Sequence, residues 1–448
     1  MNNGVESIGK IKEVLLHELE WVGTVMKARL ETFNKGEKLG KFPLPPPLTT
    51  DTAYGRFVTD HDLDLNERFV LALALVPHIS PAFLDNLISN ALPKAGDFPQ
   101  LGGVRGNNFR GFLPTGETVL FLLAGDNLEK RFKLQYLFSP EHQFVRKKVL
   151  GLEEVPAGEP VMSGKLMLAQ EYVELFTMGQ ALPPLFSLRF PAKRIETEMD
   201  WEDLVLNPFT LKQIRELETW IKHGDTLLQG WGMHKRIKPG YRALFHGPPG
   251  TGKTLTASLL GKYTGKPVYR IDLSMVVSKF IGETEKNLGS LFAKAEDKDW
   301  VLFFDEADAL FGKRTNVRDA HDKYANQEVA YLLQRVEDYN GLVILATNLK
   351  SNIDDAFLRR FQSIIHFPLP KTGERLRLWQ MSFPEQVELG QDVDLNAIAR
   401  EYELSGSNIV NIIQYLCLTI LGEGKTAIDR TLIQKAIKRE FSKEGRIL

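Results

Sequence analysis

The sequence has 448 residues but only one cysteine, Cys417, which stands in the apolar run 412–418. One cysteine cannot make an intrachain disulfide or a cysteine-rich zinc site, so we expect a packed core thiol and a reducing compartment. Residues 1–7 have neither a basic region nor an apolar core, which predicts no signal peptide. The most apolar run, 69–76, is halted by Pro77 and is too short to span a bilayer. These absences predict a cytoplasmic protein without membrane insertion.

The chain also lacks an excess of charge of either sign. Lysine and arginine total 56 and aspartate and glutamate total 57, for a formal net charge of -1. This balance, together with the lack of a recognisable DNA-binding motif, argues against a nucleic-acid partner. The pair His17-Glu18 lacks a second histidine four residues after the first, so it is not a zinc-protease signature. The composition is that of a globular protein, with room for about three domains.

Residues 1–190 predict one mainly helical domain, expected to bind a substrate or partner protein. Apolar residues recur every three or four positions over 5–33, which predicts a long amphipathic helix. This stripe fits either a core-facing surface, which we favour, or a coiled-coil seam. The proline-rich run 42–48 predicts an extended connector. Residues 119–124 predict a buried strand or a short helix, and residues 165–178 predict a further helix.

Two stretches of this region resemble binding sites at first sight. One has four possible metal ligands close together: Asp60, His61, Asp62 and Asp64. However, Asp64 and Glu67 also fit an N-cap and its capping-box partner before a helix over 65–76, and we favour capping. The other stretch, 100–126, is dense in glycine but is not followed by a lysine and a serine or threonine. It therefore predicts turns rather than a second nucleotide site.

The most informative stretch is Gly-Pro-Pro-Gly-Thr-Gly-Lys-Thr at 247–254. It fits the phosphate-loop pattern, and it lies between an apolar run like a buried strand, 242–246, and a predicted helix, 255–263. In such a loop, backbone N–H groups and the helix N-terminus face phosphate oxygens. Lys253 would reach the β- and γ-phosphates, and the Thr254 hydroxyl would ligate Mg²⁺. The expected nucleotide-binding residues are Gly247, Pro248, Pro249, Gly250, Thr251, Gly252, Lys253, Thr254 and Leu255.

Two further apolar strands end in polar residues. The strand 301–304 is followed by Asp305 and Glu306, which point to opposite faces and so cannot do the same job. We expect Asp305 to hold the Mg²⁺ shell beside Thr254, and Glu306 to accept a proton from the attacking water. The strand 342–347 is followed by Asn348, which could orient that water or contact the γ-phosphate.

Residues 354–361 predict a short helix that carries the adjacent arginines Arg359 and Arg360. Guanidinium groups stabilise the transition-state charge of a transferring phosphoryl group, and a neighbouring subunit often supplies them. A surface salt bridge is the alternative for either arginine taken alone.

In order and spacing, residues 247–254, 301–308, 348 and 354–361 resemble the AAA ATPase family, and the resemblance covers roughly residues 201–440. It implies an α/β P-loop NTPase fold with a parallel sheet of strand order 5-1-4-3-2 and a C-terminal helical lid. It also implies a hexameric ring with ATP between subunits, a sensor role for Asn348, and arginine fingers at Arg359 and Arg360. Many members have a Gly-Arg pair after the first finger, whereas Gln362-Ser363 follows here. Which arginine reaches the neighbour's ATP therefore stays open.

Two more stretches fit the same resemblance. The first looks like the pore loop that grips an extended polypeptide, and its residues are Lys279, Phe280, Ile281 and Gly282. Its aromatic ring would give sequence-tolerant contact, although Phe280 and Ile281 could instead be core residues. The second, 404–409, resembles the start of a lid helix near the adenine, where Gly406 would let the base approach closely.

The predicted domains are the helical region 1–190, a polar linker over 191–200, a large AAA α/β subdomain over 201–370 and a helical lid over 371–448. The leading functional hypothesis is a homo-hexameric ATPase that uses ATP and Mg²⁺ to thread or disassemble protein substrates. The alternative is a nucleotide-switched assembly factor or chaperone with slow hydrolysis and no threading. A DNA-loading motor is a third hypothesis, disfavoured by the neutral charge. The combination resembles stand-alone bacterial AAA ATPases, some of which accompany contractile injection systems.

Overall fold

The structure is a computed structural model of the chain. It describes residues 8–37, 41–92, 98–184, 186–187, 190–276, 283–296, 298–307, 320–349, 355–443 and 445, with backbone alone at 283, 320–328 and 355–356. The chain divides into two compact units, Met1–Pro183 and Pro184–Leu448. Each unit has its own apolar core and is described by itself.

The N-terminal unit is mainly helical. Its principal helices are α1 (Ile8–Lys35), α2 (Ala53–Asp60), α3 (Leu65–Ile79), α4 (Phe83–Ala91), α5 (Gly116–Ala124), α6 (Leu128–Gln135), α7 (Gln143–Arg146) and α8 (Gln170–Met178). The apolar stripe of α1 is buried in the core at Leu15, Val22 and Met26, which confirms a core-facing helix. Residues 119–124 form part of α5, so the helical alternative for this run is the right one.

Helix α3 begins with the predicted capping box. The backbone N–H of Glu67 donates to Asp64 Oδ1 at 2.7 Å, and the backbone N–H of Asp64 donates to Glu67 Oε2 at 2.7 Å. Among the described residues, no group of three or more His, Cys, Asp and Glu side chains could hold a metal ion. Pro77 lies inside α3, which ends two residues later at Ile79. Its missing N–H removes one hydrogen bond of the helix, close to the C-terminal end.

One predicted helix of this unit was partly wrong. Residues 150–152 (β1, Leu150–Leu152) and 166–168 (β2, Leu166–Leu168) form an antiparallel pair, and α8 begins only at Gln170. In β2 the two leucines are buried and Met167 is exposed, which is the alternation of a strand and not the period of a helix. The prediction of a helix over 165–178 therefore holds only for its C-terminal part.

The C-terminal unit contains a six-stranded sheet in the order β3-β5-β6-β7-β4-β8. Its strands are β3 (Ala192–Ile195), β4 (Tyr241–His246), β5 (Val268–Ile271), β6 (Val301–Phe304), β7 (Leu342–Thr347) and β8 (Ser363–His366). Strands β4 to β8 pair in parallel. Counted from β4 as the first, their spatial order is the predicted 5-1-4-3-2, and the fold class is confirmed.

Strand β3 lies in the stretch 191–200, where the sequence predicts a linker. It pairs antiparallel with β5, with Ala192 opposite Ile271 and Ile195 opposite Val268. Lys193 and Arg194 give the stretch its polar character, but Ala192 is fully buried and Ile195 packs against the core. A short edge strand with two exposed cations resembles a linker in the sequence, because its two apolar residues are too few to show the alternation of a strand.

Helices pack on both faces of the sheet. Helices α9 (Pro208–Asp225) and α10 (Lys253–Thr264) contribute to the core on one face. Helices α12 (Glu283–Ala295) and α13 (Ala320–Asp338) contribute to the core on the other face. The short helices of this region are α11 (Leu273–Val276) and α14 (Asp355–Leu358).

The last part of the chain is helical around its own core. Its elements are α15 (Thr372–Ser382), β9 (Glu388–Leu389), α16 (Leu395–Glu401), α17 (Gly406–Gly422), β10 (Ala427–Ile428) and α18 (Arg430–Lys443). The fully buried Trp379 lies in this core, and Cys417 is half-buried at its edge. We call this region, 371–443, the lid.

Within the described residues, no single helix is both long and apolar enough to cross a membrane. Only α3 and α4 together meet the length and composition criteria, across a bend of 104°.

Candidate nucleotide-binding site

The loop between β4 and α10 has a backbone that requires glycine. Gly247 has φ of +148°, and a Cβ there would lie 2.0 Å from the carbonyl oxygen of Phe367. Gly250 has φ of +72°, and a Cβ there would lie 1.8 Å from Ser407 Oγ. An L side chain at either position would meet both backbone strain and a clash. The spacing of glycines in the sequence is thus a direct consequence of the curl of this loop.

Lys253 lies inside that curl. Its side chain is 7% exposed, and its ammonium group donates to Gly247 O at 2.7 Å, Pro248 O at 2.9 Å and Asn348 Oδ1 at 3.0 Å. The ammonium group is thus held at the centre of the loop and linked to the end of β7, although 95 residues separate it from Asn348.

The other predicted loop residues have simpler surroundings. Thr251 Oγ1 donates to Pro248 O at 2.9 Å, which closes the turn. Gly252 has φ of +95° and caps the start of α10. Pro249 is exposed and Leu255 is half-buried.

The carboxylate of Asp305 faces the start of α10. Thr254 Oγ1 donates to Asp305 Oδ2 at 3.5 Å. The same oxygen is 3.2 Å from a guanidinium nitrogen of Arg270. Asp305 Oδ1 accepts the backbone N–H of Glu306 at 3.1 Å. The two carboxylate oxygens therefore have separate partners, and one of them faces the predicted Mg²⁺ ligand Thr254.

Glu306 has a strained backbone and an exposed side chain. Its φ is +52°, a left-handed conformation that non-glycine residues seldom adopt. The turn is fixed on both sides, because the N–H of Ala307 donates to Ala346 O at 2.9 Å and the N–H of Glu306 is bonded to Asp305. Strained backbone of this kind clusters at functional sites, although Asp62, Lys148 and Asp299 also have positive φ. Asp305 and Glu306 therefore differ in surroundings, as their adjacency in a strand end predicts.

The lid contacts the phosphate loop. Helix α17 begins at a capping box formed by Ser405 and Asn408. The backbone N–H of Ser407 donates to Gly250 O at 3.3 Å, and a Cβ on Gly406 would lie 3.3 Å from that same oxygen. Gly406 therefore stands at the loop.

The adjacent arginines Arg359 and Arg360 are both exposed but differ in their contacts. Arg360 Nη1 is 2.5 Å from Glu337 Oε1 on α13. Arg359 has no ion-pair partner among the residues that the structure describes. The predicted pore-loop residues, Lys279, Phe280, Ile281 and Gly282, lie outside those residues.

Two neighbours of the site were missed in the sequence. A Cβ on Gly252 would lie 2.9 Å from Leu204 Cδ1, so the segment before α9 borders the phosphate loop. No pattern marks Leu204. Arg270 had a signal, since it is the one charged residue in the run 268–271 that forms β5. A lone charge in an otherwise apolar strand indicates an oppositely charged partner nearby, and here the partner is Asp305.

The donors present fit a nucleotide with Mg²⁺. The Thr254 hydroxyl and the Asp305 carboxylate are oxygen donors, and Mg²⁺ is held in proteins by one or two carboxylates plus substrate phosphates and waters. Such a site needs no larger cluster of side chains, in keeping with the lack of one among the described residues.

The chain matches a known protein family over these same motifs. The model of the ATPase family associated with various cellular activities (AAA) matches residues 243–369. The AAA family ATPase y4kL of Sinorhizobium fredii is 33% identical over 230 residues, which are 50% of this chain and 67% of that protein. The proteasome-activating nucleotidase of Aeropyrum pernix is 34% identical over 211 residues, 45% of this chain and 51% of the relative. The vesicle-fusing ATPase of Arabidopsis thaliana is 36% identical over 191 residues, 38% of this chain and 26% of the relative.

For many of these relatives the match is partial, since the chain spans about half the length of the proteasome-activating nucleotidases it matches. The family match contains the phosphate loop, the strand end with Asp305 and Glu306, and Asn348. It also contains both arginines of the segment after α14. From this match, and from the two thirds of y4kL that the chain covers, the chain belongs to the AAA family of ATPases.

Proposed function

We propose that the chain hydrolyses ATP and uses the free energy to remodel proteins, as a homo-hexameric ring. The observation that carries this proposal is the convergence of Lys253, Asn348, Thr254 and Asp305 at the carboxyl ends of three parallel strands. Ligands of open α/β sheets bind at that edge. Two similar proteins, a proteasome-activating nucleotidase and a vesicle-fusing ATPase, favour work on protein assemblies.

In the proposed mechanism, the loop first binds the phosphates. Backbone N–H groups of 247–254 and the N-terminus of α10 face the anion, and Lys253 exchanges hydrogen bonds to loop carbonyls for bonds to phosphate oxygens. Thr254 and Asp305 hold Mg²⁺, which when bound neutralises phosphate charge. The hydrogen bond from Lys253 to Asn348 keeps the end of β7 beside the loop, where Asn348 can contact the γ-phosphate or the attacking water.

Glu306 is the proposed general base. Its carboxylate is exposed, while that of the adjacent Asp305 is engaged by Thr254 and Arg270. The left-handed turn at Glu306 directs the two side chains differently, so that one serves the metal and the other accepts a proton from water.

Arg359 is the proposed finger that acts on the ATP of a neighbouring subunit. The support is the different state of the two arginines, since Arg360 pairs with Glu337 of its own chain and Arg359 is exposed. A guanidinium that is already bound to a carboxylate is a poor reagent for a second anion. In this proposal Arg360 anchors the segment, and Arg359 reaches outward.

We also propose that the substrate is threaded through a pore loop at Phe280. This step is supported by the sequence pattern alone. Phe280 with Ile281 and Gly282 would present an aromatic-aliphatic step between β5 and α12.

The catalytic proposal is tested by measuring fluorescent-ATP binding and phosphate release on the full chain. We expect Lys253→Ala to lose nucleotide binding, because the loop then lacks its one cation. We expect Glu306→Gln to bind ATP but to lose about a hundredfold or more in hydrolysis, since general-base catalysis contributes about 10²–10⁴. Hydrolysis by Glu306→Gln at near the unaltered rate would remove Glu306 from the role of base.

A further inference from the structure

Arg270 occupies an unusual place beside the proposed metal ligand. In the parallel register of β5 and β6, Arg270 stands opposite Phe303. Alternate residues of a strand share a face, so Asp305, two residues after Phe303, lies on the face to which Arg270 points. This is also the face against which α10 packs. Strand register thus brings a guanidinium from a neighbouring strand to the carboxylate at the end of β6.

The contact falls on the oxygen that matters for the metal. Asp305 Oδ2 is 3.5 Å from Thr254 Oγ1 and 3.2 Å from Arg270 Nη2. The other oxygen, Oδ1, is already bonded to the backbone N–H of Glu306. A cation held between Thr254 and Asp305 must therefore share Oδ2 with the guanidinium, because the second oxygen of the carboxylate faces the turn.

We propose that Arg270 competes with Mg²⁺ for Asp305 Oδ2 and thereby lowers the Mg²⁺ affinity of the nucleotide site. The inference rests on the proposed function, since it concerns the metal that accompanies the nucleotide. Arg270 acts through Asp305 and is a positioning residue. Its side chain is 49% exposed, so it can turn into solvent when the metal takes the oxygen. Metal binding then includes the loss of one ion pair and the approach of two cations.

A competing role and an orienting role of Arg270 predict opposite changes in metal affinity when the side chain is removed. If Arg270 competes, its removal frees the carboxylate and tightens metal binding. If Arg270 instead holds Asp305 in a binding orientation, its removal weakens metal binding. Half-exposed ion pairs are weak, so the expected effect is about three- to tenfold in the dissociation constant of the metal.

The variants are Arg270→Gln, which removes the charge, and Arg270→Lys, which keeps a cation on a flexible chain. Lys193→Gln is the matched control, because Lys193 stands directly opposite Arg270 on the edge strand β3 and is one strand further from Asp305. Arg270→Met, which retains much of the side-chain length, repeats the test if Arg270→Gln does not fold.

The measurement is Mn²⁺ binding to the whole chain saturated with ADP. Free Mn²⁺ is quantified by electron paramagnetic resonance. ADP affinity is first measured in excess chelator, where no metal contributes. We expect Arg270→Gln to bind Mn²⁺ about fivefold more tightly, and Arg270→Lys and Lys193→Gln to remain within about twofold of the unaltered chain.

Unchanged or weaker Mn²⁺ binding by Arg270→Gln, with ADP affinity intact, would overturn the inference and leave the proposed function standing. Failure of the unaltered chain to bind ADP at all would overturn both. Equal tightening by Lys193→Gln would show a general charge effect of the sheet and would also overturn the competition at Asp305.

Discussion

At the scale of single residues, Gly250 and Gly265 allow the cost of a left-handed backbone to be measured separately from the cost of a steric clash. Both have a left-handed backbone, with φ of +72° and +70°. A Cβ on Gly250 would strike Ser407 of the lid, whereas a Cβ on Gly265 would meet no atom within 4 Å. The two glycines therefore share a conformational requirement but differ in their neighbours.

We expect Gly265→Ala to cost about 1–2 kcal/mol in the free energy of unfolding, from the left-handed backbone alone. Gly250→Ala should cost more and should also weaken ATP binding by about tenfold, because the phosphates need close approach to this backbone. Urea denaturation and fluorescent-ATP titration would measure the two effects. Equal losses for both variants would mean that the lid does not rest on Gly250.

A second prediction at this scale concerns Arg359 and Arg360. Arg359→Ala should lower hydrolysis by about a thousandfold, the lower range for an arginine finger. Arg360→Ala and Glu337→Ala should resemble each other, with smaller losses, since each breaks the same ion pair. Phosphate release at saturating ATP is the measurement. If Arg360→Ala loses more hydrolysis than Arg359→Ala, then Arg360 is the finger and Arg359 the anchor.

At the level of residues, the sequence supports predictions where the chemistry is local. The phosphate loop packs glycines, Lys253 and Thr254 into eight positions, so its nucleotide-binding role could be predicted without a fold. Arg270 reaches Asp305 only through the register of two strands. Leu204 approaches Gly252 across 48 residues of chain. Contacts of this kind leave no spacing in the sequence.

At the scale of elements, a buried arginine ties β4 to the end of α13. Arg242 is buried and donates to the carbonyl oxygens of Val336 at 3.2 Å and Gly240 at 3.1 Å. It also donates to the carbonyl oxygen of Glu337. The carbonyls of Val336 and Glu337 are among those that a helix leaves without partners at its C-terminus, whereas Gly240 directly precedes β4. The side chain of Glu337 in turn binds Arg360, so the cap of α13 lies directly beneath the arginine segment.

We expect Arg242→Met to lower the free energy of unfolding by about 3 kcal/mol, because buried carbonyl oxygens lose their donors while the side-chain volume is nearly kept. The matched control is Arg377→Met. Arg377 is exposed and donates to one carbonyl oxygen, that of Glu202, at 2.8 Å, so its loss should stay below about 1 kcal/mol. Urea denaturation followed by tryptophan fluorescence is the measurement. Similar losses for the two variants would contradict the capping role.

Elements were predicted well where they are long or strongly apolar. The order of the five parallel strands, which the family resemblance implies, agrees with the structure, and so does helix α10, which the run after the phosphate loop predicts. The errors fall on short elements, the pair β1–β2 and the edge strand β3. A strand of three or four residues with one or two buried side chains resembles a loop or a helix end, and its partner strand decides its state.

At the scale of the whole molecule, the proposed finger requires a second copy of the chain. Mixing Arg359→Ala protein with Lys253→Ala protein should restore part of the hydrolysis that each lacks alone. Recovery arises where the intact Arg359 of one subunit meets the intact loop of another. Phosphate release as a function of mixing ratio is the measurement. Mixed rings that form but show no recovery would mean that Arg359 does not act in trans.

The threading proposal separates ATP turnover from work on a substrate. Phe280→Ala should keep hydrolysis within about threefold of the unaltered chain and lose remodelling, because an aromatic contact is worth about 1 kcal/mol at each subunit. Phe280→Tyr keeps a flat ring and should retain most function. Thermal melting is the control. A loss of about 3–5 kcal/mol for Phe280→Ala would identify a core residue and favour the nucleotide-switched assembly factor.

The edge strand β3 has a mechanical consequence. It is the first strand that the structure describes in the C-terminal unit, and it lies antiparallel against β5 in a ladder from Ala192–Ile271 to Ile195–Val268. A pull along the strand axis loads all hydrogen bonds of that ladder at once, in shear, instead of opening them one after another. The strand therefore resists tension better than its four residues suggest. A load on this ladder reaches β5, the strand that carries Arg270, whose guanidinium lies 3.2 Å from Asp305.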